Sequence, residues 1–209
     1  MGASLYEPIN VFKPMGPDIG IVDGPFEYLT VGGVTLPLPF TTRMTVVRLS
    51  NGNLFLQSPI KFDEVLASEL QRMGTIRHLV SPNQFHYAHI GEWSKAFPDA
   101  IPWASPRVRQ RARARHIDVT FARDLDFNPP EEWRQDIDQT LFPGGYFKEF
   151  IFLSQEIEDA GSRGHDYQHR VGQDTGALAN GDKAQRDVPS PRANILWHAA
   201  ASIIAAARG

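Results

Sequence analysis

Apolar and polar positions along the chain switch between a period of two and a period near 3.6, and the switches set out the elements. From residue 1 to 40 the pattern is broken by Pro and Gly, with short extended pieces expected at Ile19–Val22 and Phe26–Val31 around Asp23-Gly24-Pro25. Met44 to Leu49 reads as a strand, Ser50-Asn51-Gly52-Asn53 as a turn, and Leu54 to Leu56 as the returning strand. Asn-Gly between two apolar runs favours a hairpin because both residues tolerate positive φ. Phe62 to Met73 carries Val65, Leu66, Leu70 and Met73 on one helical face, with Gly74 placed to end the helix. Ile76 to Val80 is a short apolar strand, and Ser81-Pro82-Asn83 is a loop at its carboxyl end. A second helix is predicted from His86 to Phe97 on the spacing of His86, Ile90, Trp93 and Phe97, stopped by Pro98-Asp99. Ile101 to Ala104 is the next strand, and Ser105-Pro106 opens a basic helix to Arg115 with Pro at its first position. From 44 to 115 the order is β-β-α-β-α-β-α, which predicts an α/β sheet covered by helices.

Asp124 to Thr140 is polar and acidic around Pro129-Pro130 and Trp133, and Tyr146 to Leu153 is an aromatic strand after Pro143-Gly144-Gly145. The composition then changes. Ser154 to Arg192 holds five Val, Ile, Leu, Met, Phe, Trp or Tyr residues in thirty-nine positions. It can bury little apolar surface, so an irregular or disordered segment is expected. Ala193 to Arg208 reads as a terminal helix with Ser190 as cap and Pro191 in its first turn. The expected organisation is a domain over 1–153, a polar segment over 154–192 and an Ala-rich helix over 193–209.

The 209 residues suffice for one cored domain without covalent staples. A net charge of -3 argues against a dedicated nucleic-acid binder. The absence of cysteine excludes disulfides, zinc-thiolate sites, iron–sulfur clusters and a cysteine nucleophile. Met1 to Asn10 lacks the basic-then-apolar pattern of a leader, and no run reaches the roughly 18 apolar residues of a membrane span, so a soluble, cytoplasmic protein is expected. There is no P-loop, no G-x-S-x-G elbow and no G-x-G-x-x-G fingerprint.

The chemistry concentrates in Ser81 to Trp93, at the carboxyl end of a parallel-type strand, where open α/β sheets place their sites. Ser81-Pro82-Asn83-x-x-His86, Gly91-Glu92-Trp93, Ala96-Phe97-Pro98 and Pro143-Gly144-Gly145-Tyr146 resemble the domain-of-unknown-function family 4336 of the metallo-β-lactamase-like superfamily. The resemblance covers about residues 5 to 153 and implies an αββα sandwich. In that superfamily a His-x-His-x-Asp-His loop gathers one or two metal ions that activate a water. Laid on it, Ser81 stands at the first His, Asn83 at the second, Phe85 at the Asp and His86 at the last His, while Gly145 takes the place of a later His. A hydroxyl, an amide and a phenyl ring do not hold zinc, so the resemblance implies the fold with a degenerate, metal-free site. The superfamily's next apolar strand has no counterpart in Ser154 to Asp159, so the sandwich is expected to be incomplete or diverged after Leu153, through truncation, frameshift or divergence. An edge left open there makes self-association a possibility.

The residues leave alternatives open. His86, His89 and Glu92 form His-x-x-His-x-x-Glu, but the sixth offset lies about 120° behind the first on a helix. Zinc or iron held by His86 and His89 is the alternative to no cofactor, with His78 and His116 contributing only if the fold brings them close. In the simplest reading His86 packs or hydrogen-bonds and His89 is a half-exposed helix residue. Ser81, Asn83, His86 and Tyr87 then line a metal-free polar pocket for a small molecule or a protein partner, with no nucleic acid involved. In a catalytic version His86 is ligand or base of a hydrolase and Asn83 orients a water. Asp63 and Glu64 read as first-turn helix residues, Arg107 to Arg115 as a solvated basic surface, and Trp93, Phe97 and Trp103 as core. The expectations are thus a degenerate binding or interaction protein, a hydrolase-like enzyme with a nonstandard site, or a truncated product without activity.

Overall fold

The computed structural model describes residues 4–31, 34–144, 148–154 and 194–195. In chain order the elements are β1 (Phe12–Pro14), β2 (Ile19–Val31), β3 (Val34–Arg48), β4 (Asn53–Gln57), α1 (Glu64–Met73), β5 (Thr75–Ser81), α2 (Ile90–Ala96), β6 (Ile101–Ala104), α3 (Val108–Ala114), β7 (Arg123–Asp124), β8 (Ile137–Phe142), β9 (Glu149–Ser154) and β10 (Asn194–Ile195). Strands β1 to β7 lie side by side in sequence order in one sheet, and β10-β9-β8 form a second. Pairing is antiparallel from β1 to β4 and parallel from β4 to β7. This change follows from the connections. A tight turn links β3 to β4, whereas α1, α2 and α3 lie between the parallel strands.

Alternation along the strands builds the layers. Val46, Leu54, Leu56 and Leu79 share one buried cluster with Leu66 and Leu70 of α1, Trp93 of α2 and Val108 of α3. Their neighbours Val47, Phe55, Val80 and Trp103 share the other with Trp133, Ile137, Phe150 and Phe152. The large sheet is therefore faced by helices on one side and by the small sheet on the other, a layered α/β architecture. Trp93 and Trp103 are core, as expected, and Phe97 packs against the helix-side cluster.

Several expectations are met. The β3–β4 hairpin forms, with Val46 opposite Leu56 and Arg48 opposite Leu54. Of its turn residues only Gly52 takes positive φ, at 80°. The Gly52 amide donates to the Leu49 carbonyl and the Leu49 amide to the Asn53 carbonyl, a three-residue-type turn closed by a left-handed Gly. Asp63 caps α1 by accepting from the Leu66 amide at 2.8 Å, and Glu64 begins the first turn. Ile101–Ala104 is the strand predicted.

Other expectations are corrected. Asp23-Gly24-Pro25 does not separate two pieces: β2 runs through it, with a register shift between Asp23 and Phe26 that accommodates the missing Pro amide. Val65 is 77% exposed, because the buried face of α1 is Leu66, Ala67 and Leu70. Gly74 caps α1 as expected, its amide donating to the Leu70 carbonyl, but in extended backbone; a Cβ there would strike the Gly52 carbonyl, so close packing calls for Gly. Residues 86–89 form a turn and α2 starts only at Ile90, because Asn83 ties the preceding amides. α3 starts at Val108, behind Arg107 at φ 71°, so Pro106 precedes the helix. Ile137–Phe142 is a strand where a polar segment was expected, and β9 begins at Glu149. The expectations for 155–193 and 196–209 lie outside the described residues; Asn194–Ile195 are extended and pair with β9, not helical.

Candidate functional site

The carboxyl ends of the parallel strands meet one loop, residues 81–89. β4 hands over to Ser58, whose amide donates to the Val80 carbonyl at 2.9 Å. Ser81 pairs with Ala104 at the end of β6, so Ser105 follows on the adjacent strand. The Ser58 and Ser105 hydroxyls are buried and have no hydrogen-bond partner among the described residues. Neither is evident from motif spacing; the signal for both is a small polar residue directly after a parallel strand.

Asn83 organises the loop. Its Oδ1 accepts from the Phe85 amide at 2.8 Å and the His86 amide at 3.2 Å, an Asx-type turn. Its Nδ2 donates to Glu149 Oε1 at 2.9 Å across 66 residues of chain. The Ser81 hydroxyl donates to the Asn83 carbonyl at 2.8 Å. Backbone pairing between Asn83 and Glu149, and the Phe150 amide on the Pro82 carbonyl at 2.9 Å, stitch the small sheet to this loop. Ser81, Asn83 and Glu149 are all buried. Burial pushes the Glu149 carboxyl above its ordinary pKa, and the Asn83 hydrogen bond opposes the rise in part. Glu149 was not foreseen; it is the acidic residue inside the aromatic run Tyr146 to Phe152.

His86 is differently placed. It is half-buried, and its ring makes no hydrogen bond among the described residues. Burial lowers its pKa to about 4, so the imidazole is neutral at pH 7. Tyr87 is buried with its hydroxyl unpartnered among the described residues.

His89 leaves the site altogether. Its Nε2 stands 3.0 Å from Glu27 Oε1 on β2, and its Nδ1 stands 3.4 Å from Glu92 Oε2, which also accepts from the Phe62 amide at 2.9 Å. Glu27, hydrogen-bonded at Nε2, and Glu92, 3.4 Å from Nδ1 at ion-pair distance, both favour the charged imidazolium. Burial alone lowers the His89 pKa, but Glu27 and Glu92 more than reverse this and hold it above the ordinary value. The His89 hydrogen bond in turn lowers the pKa of Glu27.

His78 lies between the sheets, 1% exposed, with Nδ1 accepting from Trp103 Nε1 at 3.3 Å. Burial, with Arg77 and Arg123, lowers its pKa to about 4. His116 stands beyond α3 at φ 53°. The histidines are thus not gathered. Among the described residues no group of three or more His, Asp or Glu is placed to hold a metal ion. The donor set agrees: the Ser81 hydroxyl and both functions of the Asn83 amide are already engaged, and Phe85 offers no donor. Zinc or iron does not fit this loop.

No family model matches the chain, and no curated protein matches it in sequence. Solved structures do. The DIM-1 metallo-β-lactamase is 12% identical with a TM-score of 0.50, over 72% of this chain and 66% of that one. A metallo-β-lactamase from Hirschia baltica is 12% identical with a TM-score of 0.48, over 69% and 66%. DIM-1 exposed to ceftazidime is 15% identical with a TM-score of 0.49, over 69% and 64%. The chain thus spans a little under two thirds of the length of that last structure. Among the described residues no helix is long and apolar enough to cross a membrane. The likeness is one of fold: this chain has a metallo-β-lactamase-like α/β fold.

Proposed function

We propose that this chain is a metal-independent, degenerate member of the metallo-β-lactamase-like superfamily, similar to the domain-of-unknown-function family 4336. In this reading residues 1–153 form the functional domain, 154–192 a polar appendage and 193–209 a terminal element. The domain binds a small molecule or a partner at the carboxyl edge of its large sheet, with Ser81 and Asn83 shaping the floor and His86 and Tyr87 facing the ligand. The observation that carries the reading is the occupied Asn83 amide: hydrogen bonds to Phe85, His86 and Glu149 hold the loop, which a metal centre need not do.

A hydrolase-like reading draws on the neutral His86 ring, which has no hydrogen-bond partner among the described residues and can accept a proton. Its pKa of about 4 makes it a weak base at neutral pH. The test is turnover of a panel of ester, lactone, lactam and phosphodiester substrates by the wild-type protein and by His86→Ala. The binding reading expects no turnover above buffer and a folded variant. Turnover lost in a folded His86→Ala protein establishes the hydrolase and overturns the binding reading.

A further inference from the structure

The β2–β3 pair outruns the rest of the large sheet. β3 pairs with β4 from Thr45 to Arg48, and β4 ends at Gln57, opposite Thr45. The pairing is antiparallel, so the β3 residues before Thr45 lie beyond the carboxyl end of β4, the end at which the site loop stands. There the β2–β3 ladder continues as a two-stranded arm, from Phe26 opposite Thr41 to Val31 opposite Val34.

The root of this arm is fixed. Asp23 is buried and pairs with Lys13 Nζ at 2.8 Å and Arg43 Nη2 at 2.7 Å. A register shift follows between Asp23 and Phe26, where a Cβ on Gly24 would lie 2.4 Å from Thr42 Oγ1 and 3.0 Å from Ile60 Cγ2. Such a break in the ladder is where a strand pair bends. Beyond it, Glu27 Oε1 lies 3.0 Å from His89 Nε2, which joins the arm to the last residue of the loop 81–89. Tyr28, the next residue of β2, faces the other way and is exposed.

The charges around this contact favour it when His89 carries its proton. His89 meets Glu27 from β2 and Glu92 from α2, and Glu92 also accepts from the Phe62 amide. Lys61 attracts Glu27, and Lys95 attracts Glu92 while pairing with Asp118 at 2.7 Å. A protonated His89 sets a cation between two carboxylates. A neutral His89 leaves two like charges around an uncharged ring.

We propose that residues 26–41 form an arm hinged at Gly24-Pro25 and latched to the site loop by the Glu27–His89 pair, so that the proton on His89 governs whether the arm is closed. The latch is independent of what the edge binds. It is closed below the ordinary imidazole pKa of about 6.5 and loosens as pH rises through the raised His89 value.

The natural chain has no cysteine, so spin labels can be placed singly. One pair, Tyr28→Cys with Val65→Cys, reads the arm against α1. A second, Phe127→Cys with Val65→Cys, reads the body alone; all three positions are exposed. Distances are measured by double electron–electron resonance at pH 6 and pH 9. The first pair is expected to gain a longer population, rising about two- to fivefold at pH 9, the size a partly exposed ion pair supports. The second pair is expected to stay unchanged. Glu27→Gln and His89→Gln are expected to show the longer population already at pH 6, with no further change at pH 9. A Tyr28–Val65 distribution in the otherwise unaltered chain that is the same at both pH values overturns the latch. So does an equal change in the Phe127–Val65 pair, or a pH response that survives in Glu27→Gln.

Discussion

The site loop is pinned at its two ends by opposite chemistry. At Asn83 a neutral amide ties two loop amides and the buried Glu149 carboxyl, joining the small sheet to the large one. At His89 an imidazole held between Glu27 and Glu92 ties the loop's end to β2. The first anchor is buried and needs no charge on Asn83. The second is partly exposed and depends on one proton. Between them, Phe85, His86 and Tyr87 have their backbone fixed from both sides. Hydrogen bonds of Asn83 and Ser81 order this loop, and they engage the Asn83 amide on both sides.

Breaking the Asn83 anchor has the largest expected effect. Asn83→Ala leaves two loop amides and a buried carboxyl without their partner, so a loss of about 3 kcal/mol is expected in urea unfolding. Glu149→Gln keeps an acceptor for Asn83 Nδ2 and removes a buried charge, and is expected to unfold within about 1 kcal/mol of wild type.

Acid comes next. His78 and His86 have folded pKa values of about 4, below the ordinary 6.5. Between these limits the unfolded chain binds more protons, so stability is full above pH 6.5 and falls as pH drops toward 4. His86→Ala is expected to flatten that fall while changing stability at pH 7 by less than about 1 kcal/mol, as measured by unfolding at a series of pH values.

The His89 anchor runs the other way. Its folded pKa is raised, so its contribution is full below 6.5 and is lost as pH climbs through the raised value. Solvent at the half-exposed Glu92 limits it to about 1 kcal/mol or less. His89→Gln and Glu27→Gln are expected to be less stable than wild type at pH 6 and to approach it by pH 9; a difference that does not change with pH contradicts the ionic anchor.

The contrast between the anchors also separates what the sequence reveals from what it hides. The β3–β4 hairpin, β5 and β6 are legible because their periodicity and turn residues are local. The fold resemblance was legible in Asn83, His86 and Gly91; a Cβ on Gly91 would collide with the Asp118 carbonyl, which explains that glycine. The predicted second helix forms but starts at Ile90 instead of His86, because the Asn83 turn competes with helical bonding, a choice that hydrophobic spacing does not register. β8 was hidden because its buried positions alternate Ile137 and Gln139, the latter taken by a Trp133 Nε1 hydrogen bond at 3.1 Å. Glu149 and Glu27 were invisible as partners because they lie 66 and 62 residues from the groups they hold. Arg111 was read with its neighbours as solvated surface, since spacing alone does not show that its guanidinium lies 4.8 Å from the centroid of the Phe85 ring.

We propose that hydrogen bonds of Asn83 take the place of a metal centre in ordering residues 81–89. The most direct measurement is elemental mass spectrometry of protein purified without chelator, before and after incubation with zinc and desalting. Zinc, iron and manganese each below about a tenth of an equivalent, unchanged by added zinc, is the predicted result. Near-stoichiometric metal that is lost in His86→Ala would contradict it.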